Sequence, residues 1–416
     1  MEPYICALDI GSSKVAATVA EIKRKRITNI FFESVVSKGI EGGTIIDSID
    51  LIGSIGRALK NLKVKSGINI KFIYTNISGQ DIVTKHSRAV IPLAERGNKV
   101  ITLSDIQKVN EQARTLGSSL EEETIHQIPF GYTIDSKNNI LNPLGLYSHR
   151  LEVDLYLVCA KSSAIQSLTR VINQAGYEIK DLFFSSIATS RVVFNKEFKE
   201  GVNILCDMGS DITELLVFRD GLLKNIEILP IGGNDLTMQL SESLNIPLDL
   251  AEDVKRSYGI IGDYSQIKED KEILVKKSNI YKPIKQRLVS EIITSKAKLI
   301  SSTLRDTVEK IVPCAEVNNF VITGRTILLE GFLETLENTL GISVKLGRIT
   351  DPDIISLVDK DNTLSGQKYL TYITSLGILC QALHKEYPPF LSASGPAQNV
   401  ILKAINKFKE VYQEYF

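Results

Sequence analysis

The stretch YICALDIGSSKVAATVAEI, residues 4–22, sets two apolar, strand-like runs around a tight polar bend, Asp9-Ile10-Gly11-Ser12-Ser13-Lys14. The pattern returns at residue 202 in VNILCDMGSDITELLVFRDGLL, where the bend reads Asp207-Met208-Gly209-Ser210-Asp211-Ile212-Thr213. One such hairpin is an ordinary polar turn, because Asp, Gly and Ser favour turns anyway. Two copies imply two related halves that face each other. ITNIFFESVV and IKFIYTNISG read as strands around an amphipathic helix that aligns Ile49, Ile52, Ile55 and Leu59. That order predicts an α/β protein rather than a sandwich.

A bend of this kind suits a phosphate chain. Glycine lets main-chain N–H donors approach without a Cβ, and Ser12, Ser13 and Lys14 add hydroxyls and a cation. Asp9 and Asp207 are too close to bind phosphate directly. They fit a hydrated Mg²⁺ held through water, since Mg²⁺ keeps several waters and touches few carboxylates. The candidate nucleotide-binding residues are therefore Asp9 and Gly11 to Lys14 in the first bend and Asp207, Gly209, Ser210, Asp211 and Thr213 in the second. The turn Gly232-Gly233, which feeds the next helix, joins them. At the adenosine end, Glu252 and Lys255 sit one helical turn apart and either reach a ribose or form a surface ion pair. Gly324-Arg325-Thr326 either presents N–H groups and a guanidinium to a base or is a plain strand-to-helix turn.

Composition narrows the classes. The 416 residues, 43% hydrophobic, suffice for two or more domains. Lys plus Arg and Asp plus Glu balance at 49 each with no basic stripe, so nucleic acid is not an expected partner. The five cysteines show no CxxC spacing and are expected as buried free thiols, and the four histidines are scattered, so no metal–histidine site is expected. The N-terminus lacks a signal pattern and no apolar run reaches the ~18 residues of a membrane span, so a reduced, cytosolic-type protein is expected.

Further along, 85–162 reads as an inserted module. Its helix TLSDIQKVNEQARTLG is expected to start on a Ser104/Gln107 capping box and to stop at Gly117, and RLEVDLYLVCAK is a strand. SAIQSLTRVINQAGY and DLFFSSIATSRVVF are expected as successive helices, and 250–312 as one charged helical stretch. NNFVIT is a strand leading through Gly324-Arg325-Thr326 straight into a helix, and YLTYITSLGILCQALH is the last folded helix.

These motifs, in this order, resemble the actin/Hsp70 ATPase superfamily and within it the FtsA family, actin-like proteins of bacterial division. LDIGSSKVAATVAEI, GIEGGTIIDSIDLIGSIGRAL, YTNISGQDIVTKHSRAVI, LPIGGNDLT and AEDVKRSYG carry the resemblance, which weakens over 256–312 and 345–365. It implies an actin-like, ribonuclease H-like fold of four subdomains around an ATP cleft. Subdomain 1A would comprise 1–84, 163–198 and 366–386, the inserted 1C 85–162, 2A 199–254 and 310–365, and 2B 255–309. A linker at 387–399 and a membrane-targeting helix at 400–416 would complete the chain. It also implies ATP and Mg²⁺ as cofactors, filaments of the chain itself, the FtsZ C-terminal peptide and other division proteins as partners, and a peripheral place on the cytoplasmic face of the cell membrane. A PilM-like pilus-assembly homologue and a small-molecule kinase are the alternatives within the superfamily.

The chain departs from the family pattern at two points. Asp211 replaces a phosphate-facing glycine, where like charges ~4 Å apart cost about 4 kcal/mol at an effective dielectric near 20. Arg325 stands in a turn that is usually glycine-rich. With no evident general base either, the sequence reads as a nucleotide-dependent assembly protein before an enzyme.

The tail VILKAINKFKEVYQEYF puts Ile401, Leu402, Ile405, Phe408, Tyr412, Tyr415 and Phe416 on one helical face and Lys403, Lys407 and Glu410 on the other. It is too short to span a bilayer and suits the headgroup boundary. YPPFLSASGPAQ before it is a linker that uncouples rather than packs a tail. Full-length protein is expected to co-sediment with anionic vesicles, and a version ending at Asn399 to stay in the supernatant. Equal pelleting of the two would remove the anchor.

Overall fold

The computed structural model describes residues 4–23, 26–94, 97–135, 137–194, 198, 200–277, 280–358, 364 and 366–386. The linker and amphipathic tail lie outside the described residues.

Two five-stranded sheets share one topology. In the first, Tyr4–Ile10, Lys14–Lys23 and Arg26–Val36 form an antiparallel meander, and Phe72–Ile77 and Glu178–Phe184 add in parallel on the other side of Tyr4–Ile10. In the second, Val202–Met208, Thr213–Arg219 and Leu222–Leu229 form the meander, and Val317–Thr323 and Val344–Leu346 are the parallel additions. The equivalence extends to the bends, where Gly11 N–H donates to the Lys14 carbonyl at 3.0 Å and Gly209 N–H to the Ile212 carbonyl at 2.9 Å. The repeat read from two short motifs is thus a repeat of whole sheets. The central strands are buried from end to end, which is why they read as continuous apolar runs rather than as alternation.

A separate four-stranded sheet, ordered Lys137–Ile140, Glu122–Ile134, Arg150–Lys161 and Ile82–Pro92, packs the helix Leu103–Gly117 over Ile106, Val109 and Ala113. It touches the second half through the Tyr156 hydroxyl, which accepts from Ile226 N–H at 3.2 Å, and through Lys224 Nζ, 3.6 Å from the centre of the Phe130 ring.

Two short helices lie between the main sheets. Ser185–Val193 and Ile373–Glu386 cross so closely that a Cβ on Gly377 would sit 2.1 Å from the Ala188 carbonyl oxygen. Thr18 and Ser375 hydroxyls, 2.7 Å apart, tie the second helix to the first sheet, while Ser186 and Thr189 of the other reach carboxylates of the second sheet. All five cysteines are buried and none forms a disulfide, as expected.

Four local expectations are corrected. DLFFSSIATSRVVF is not one helix: Glu178–Phe184 pairs in parallel with Phe72–Ile77, and the helix starts at Ser185. A short apolar run does not distinguish strand from helix, and the sheet edge available to it decided the matter. The helix cap in the inserted module is Thr102 with Asp105, two residues earlier than the Ser104/Gln107 box, because Asp105 also takes Lys99. Between the helices Leu248–Tyr258 and Gln286–Ile311 stands a hairpin of Glu272–Lys277 with Ile280–Lys285. Finally, the turn after Thr323 runs through a single 3₁₀ turn, Thr326–Leu328, and the helix begins only at Phe332.

The Gly377 contact generates a stability prediction. Gly377→Ala gains about 1 kcal/mol of helix propensity but forces a methyl against immovable backbone, an overpacking cost of about 1–3 kcal/mol or more. Calorimetric or circular-dichroism melting is expected to show a net loss of stability; an unchanged or raised midpoint would mean the helices part freely.

Candidate functional site

The two bends meet at a cavity of about 280 Å³ between the sheets. All the candidate nucleotide-binding residues named above line it except Thr213 and Gly232. Thr213 turns inward, its hydroxyl donating to the Ile231 carbonyl at 2.8 Å. Gly232 shapes the second bend instead: a Cβ there would lie 2.5 Å from the Ser210 carbonyl oxygen, and the next two amides donate to the carbonyls of Gly209 (3.1 Å) and Ser210 (2.7 Å).

Each aspartate ends a central strand and is steadied from the parallel strand beside it. Asn76 Nδ2 donates to Asp9 Oδ1 at 3.1 Å, and Lys14 Nζ lies 2.6 Å from Asp9 Oδ2. In the second half Thr323 donates to Asp207 Oδ1 at 3.0 Å and Thr189 to Oδ2 at 3.2 Å. Burial pushes the Asp207 carboxyl above its usual range; the threonine hydrogen bonds oppose that and the nearby Asp9 charge adds to it. Among the described residues no group of three or more His, Cys, Asp or Glu side chains gathers as a direct metal cage. Two carboxylates on opposite halves could hold only an ion that keeps most of its own water.

At the other end, Lys255 is buried, and the ion pair it forms with Glu252 lies at the cavity wall rather than on an open helix surface. Its Nζ donates to the Gly233 carbonyl at 2.9 Å and to Thr237 Oγ1 at 2.7 Å, and lies 2.5 Å from Glu252 Oε2. Burial pulls the Lys255 ammonium below its ordinary value against the pull of Glu252, whose own carboxyl falls because Lys255 and Thr237 outweigh its burial. Glu252 is left as the member of the pair with the more exposed side chain, 38% against 6%. The Gly324 turn needs its glycine: φ is +100°, and a Cβ would stand 2.0 Å from the Met208 carbonyl oxygen. Thr326 Oγ1 donates to the Gly209 carbonyl at 3.1 Å, and Arg325 reaches across the cleft to Ser13 Oγ at 3.1 Å.

Several lining residues were not singled out from sequence. Asn76 sits at the carboxyl end of a parallel strand, where open α/β sheets place their ligands, and that position was the available signal. Glu214 closes the second motif opposite Asp207 in register and is 3% exposed. It accepts a hydrogen bond from Ser186, and burial raises its carboxyl to about 8.

A model of the cell division protein FtsA matches residues 204–373, and a model of the SHS2 domain inserted in FtsA matches 79–159. The chain belongs to the FtsA family. The FtsA of Bacillus subtilis is 25% identical over 380 residues, covering 91% of this chain and 83% of that protein. That of Borreliella burgdorferi is 25% identical over 347 residues, covering 82% and 84%. Among solved structures, the PilM–PilN type IV pilus biogenesis complex superposes with a TM-score of 0.62 at 16% identity, covering 91% of this chain and 98% of that one. MreB 5 of Spiroplasma citri bound to AMPPNP superposes with 0.51 at 11% identity, covering 93% and 98%. The fold is therefore actin-like, and the sequence relatives are FtsA proteins.

Glu214 generates a pH prediction. A carboxyl whose folded pKa lies above its unfolded value holds its proton more tightly in the folded chain. Its contribution is whole below the unfolded value of 4.5 and is lost as pH rises through about 8. Denaturant titrations at pH 6 and 9 should show the parent losing on the order of a few kcal/mol more stability than Glu214→Gln. Parallel losses in the two proteins would place the titration elsewhere.

Proposed function

We propose that this member of the FtsA family binds ATP with Mg²⁺ in the cleft and assembles in response. The observation that carries the reading is the pair of equivalent bends, one per half, brought onto a single cavity. Residues Gly11 to Lys14 and Gly209 and Ser210 would surround the phosphates, the Gly11 and Gly209 amides closing their bends and the remaining amides of the bends serving as donors, and Asp9 and Asp207 would orient the hydrated ion. Glu252 would take the ribose, and the Gly324-Arg325-Thr326 turn would border the base. The nucleotide supplies a compact polyanion that both halves can grip at once, which fixes their relative orientation and hence the surfaces they present.

On the same reading the chain forms filaments, recruits the FtsZ C-terminal peptide and other division proteins, and is carried to the inner membrane face by its amphipathic tail. Family membership and the one-sided apolar pattern of 400–416 support this. Among the described residues no helix is long and apolar enough to cross a membrane. One tail binds weakly because Glu410 and Glu414 offset the lysines, and a filament multiplies it by avidity of roughly 10²-fold.

The test uses Gly11. A Cβ there would meet nothing closer than the Lys14 carbonyl oxygen at 3.4 Å, an ordinary contact, so the fold tolerates a side chain that the cavity does not. Titration calorimetry with Mg²⁺·ATP should show binding to the parent and an affinity reduced by about tenfold or more in Gly11→Val, with unchanged melting of the free protein. Equal affinities would refute binding between the bends.

A further inference from the structure

The tips of the two bends do different work from their bases. Ser13 and Asp211 occupy equivalent places, each two residues past the bend's glycine, and each makes its side-chain bond to the opposite half. Ser13 receives Arg325 of the second half at 3.1 Å. Asp211 receives the main chain of the first half: its Oδ2 accepts from Gly42 N–H at 2.8 Å, while Oδ1 accepts from Asn234 Nδ2 at 2.5 Å. Gly42 heads a small hairpin, Ile40–Glu41 with Thr44–Ile45, that is seated hard against the neighbouring loop. A Cβ on Gly43 would stand 2.4 Å from the Ser78 carbonyl oxygen, so the Gly42 donor is held in place by backbone packing. Gly43, Ser78 and Asp211 all line the cavity.

A carboxylate with both oxygens engaged, one by an amide of the facing half, makes the contacts that a phosphate would make there. We propose that Asp211 is a built-in stand-in for the terminal phosphate, holding the cleft together through Gly42 and biasing it toward a nucleoside diphosphate over a triphosphate. The inference rests on the nucleotide reading of the cleft. A chain of phosphates that starts at the Glu252 side and runs between the two bends would reach the Asp211 tip last. A diphosphate stops short and leaves the Asp211–Gly42 bond intact. A third phosphate has to take the Gly42 donor from a carboxylate of its own sign, and a divalent cation between the two lessens that repulsion. Glycine at this position, as in the family pattern, would leave the Gly42 amide without this acceptor. Here the chain satisfies it internally.

The experiment uses full-length protein and three sequences: the parent, Asp211→Asn, which keeps an acceptor and loses the charge, and Asp211→Ala, which loses both. ADP and ATP are titrated with and without Mg²⁺. The parent should prefer ADP by about tenfold or more without metal, the size of one charge-assisted bond, and by less with Mg²⁺. Both variants should lose the preference through tighter ATP binding, with ADP affinity within about threefold of the parent. A preference that persists unchanged in both variants overturns the stand-in while leaving nucleotide binding intact. Failure of the parent to bind either nucleotide overturns both. Hydrogen exchange of nucleotide-free protein reads the bridge separately: protection at Gly42 should fall in Asp211→Ala and persist in Asp211→Asn. Undiminished protection in Asp211→Ala overturns the bridge.

Discussion

Two carboxylates on neighbouring sheets have to be kept in place at the bottom of a cleft that opens between those sheets, and much of the structure follows from that requirement. Asp9 and Asp207 sit near the ends of well-buried strands, and at Asp207 burial and the nearby Asp9 both disfavour the charged form. The sheets answer in the same way twice. A polar side chain at the end of the adjacent parallel strand, Asn76 in one half and Thr323 in the other, donates to the aspartate. A further group, Lys14 or Thr189, takes the second oxygen. The halves differ in the partners: Asp9 is held by an amide and by the cation of its own bend, Asp207 by two hydroxyls, one of them from the helix Ser185–Val193.

The same division explains what could be read from the residues alone. The bends were legible because their chemistry is local: a strand, a turn of small polar residues and a strand fit within one window. Their equivalence foretold the duplicated sheets, and the apolar spacing of Ile49, Ile52, Ile55 and Leu59 foretold the first helix, although Ile49 is exposed and Leu51 is buried in its stead. What stayed hidden depends on partners far along the chain. Glu178–Phe184 is a strand because Phe72–Ile77 offers it an edge. Glu272–Lys277 and Ile280–Lys285 pair across a short connection that charge and helical neighbours masked. Thr213 reads as a phosphate ligand in the motif yet faces the Ile231 carbonyl, because in a pleated strand the next side chain takes the opposite face. That face belongs to Glu214, which the motif contains and which no local rule marks as buried.

Asp211 and Arg325 illustrate the limit most clearly. Both stand out in the sequence as departures in phosphate- and base-facing turns, and an isolated reading makes each an obstacle. In three dimensions each reaches over the cleft and engages the other half. A substitution that looks like a defect in one motif is a contact between two motifs.

The crossing of the helices Ser185–Val193 and Ile373–Glu386 has a mechanical consequence. Main chain rests on main chain at Gly377 and Ala188, with no side chain interposed to compress or swing aside. Such a joint resists compression, and any turning of one sheet against the other would take this contact as its axle. The axle lies beside the aspartates, and displacement grows in proportion to distance from it. A rotation about it would leave the floor of the cleft nearly unchanged and displace the outer rims most.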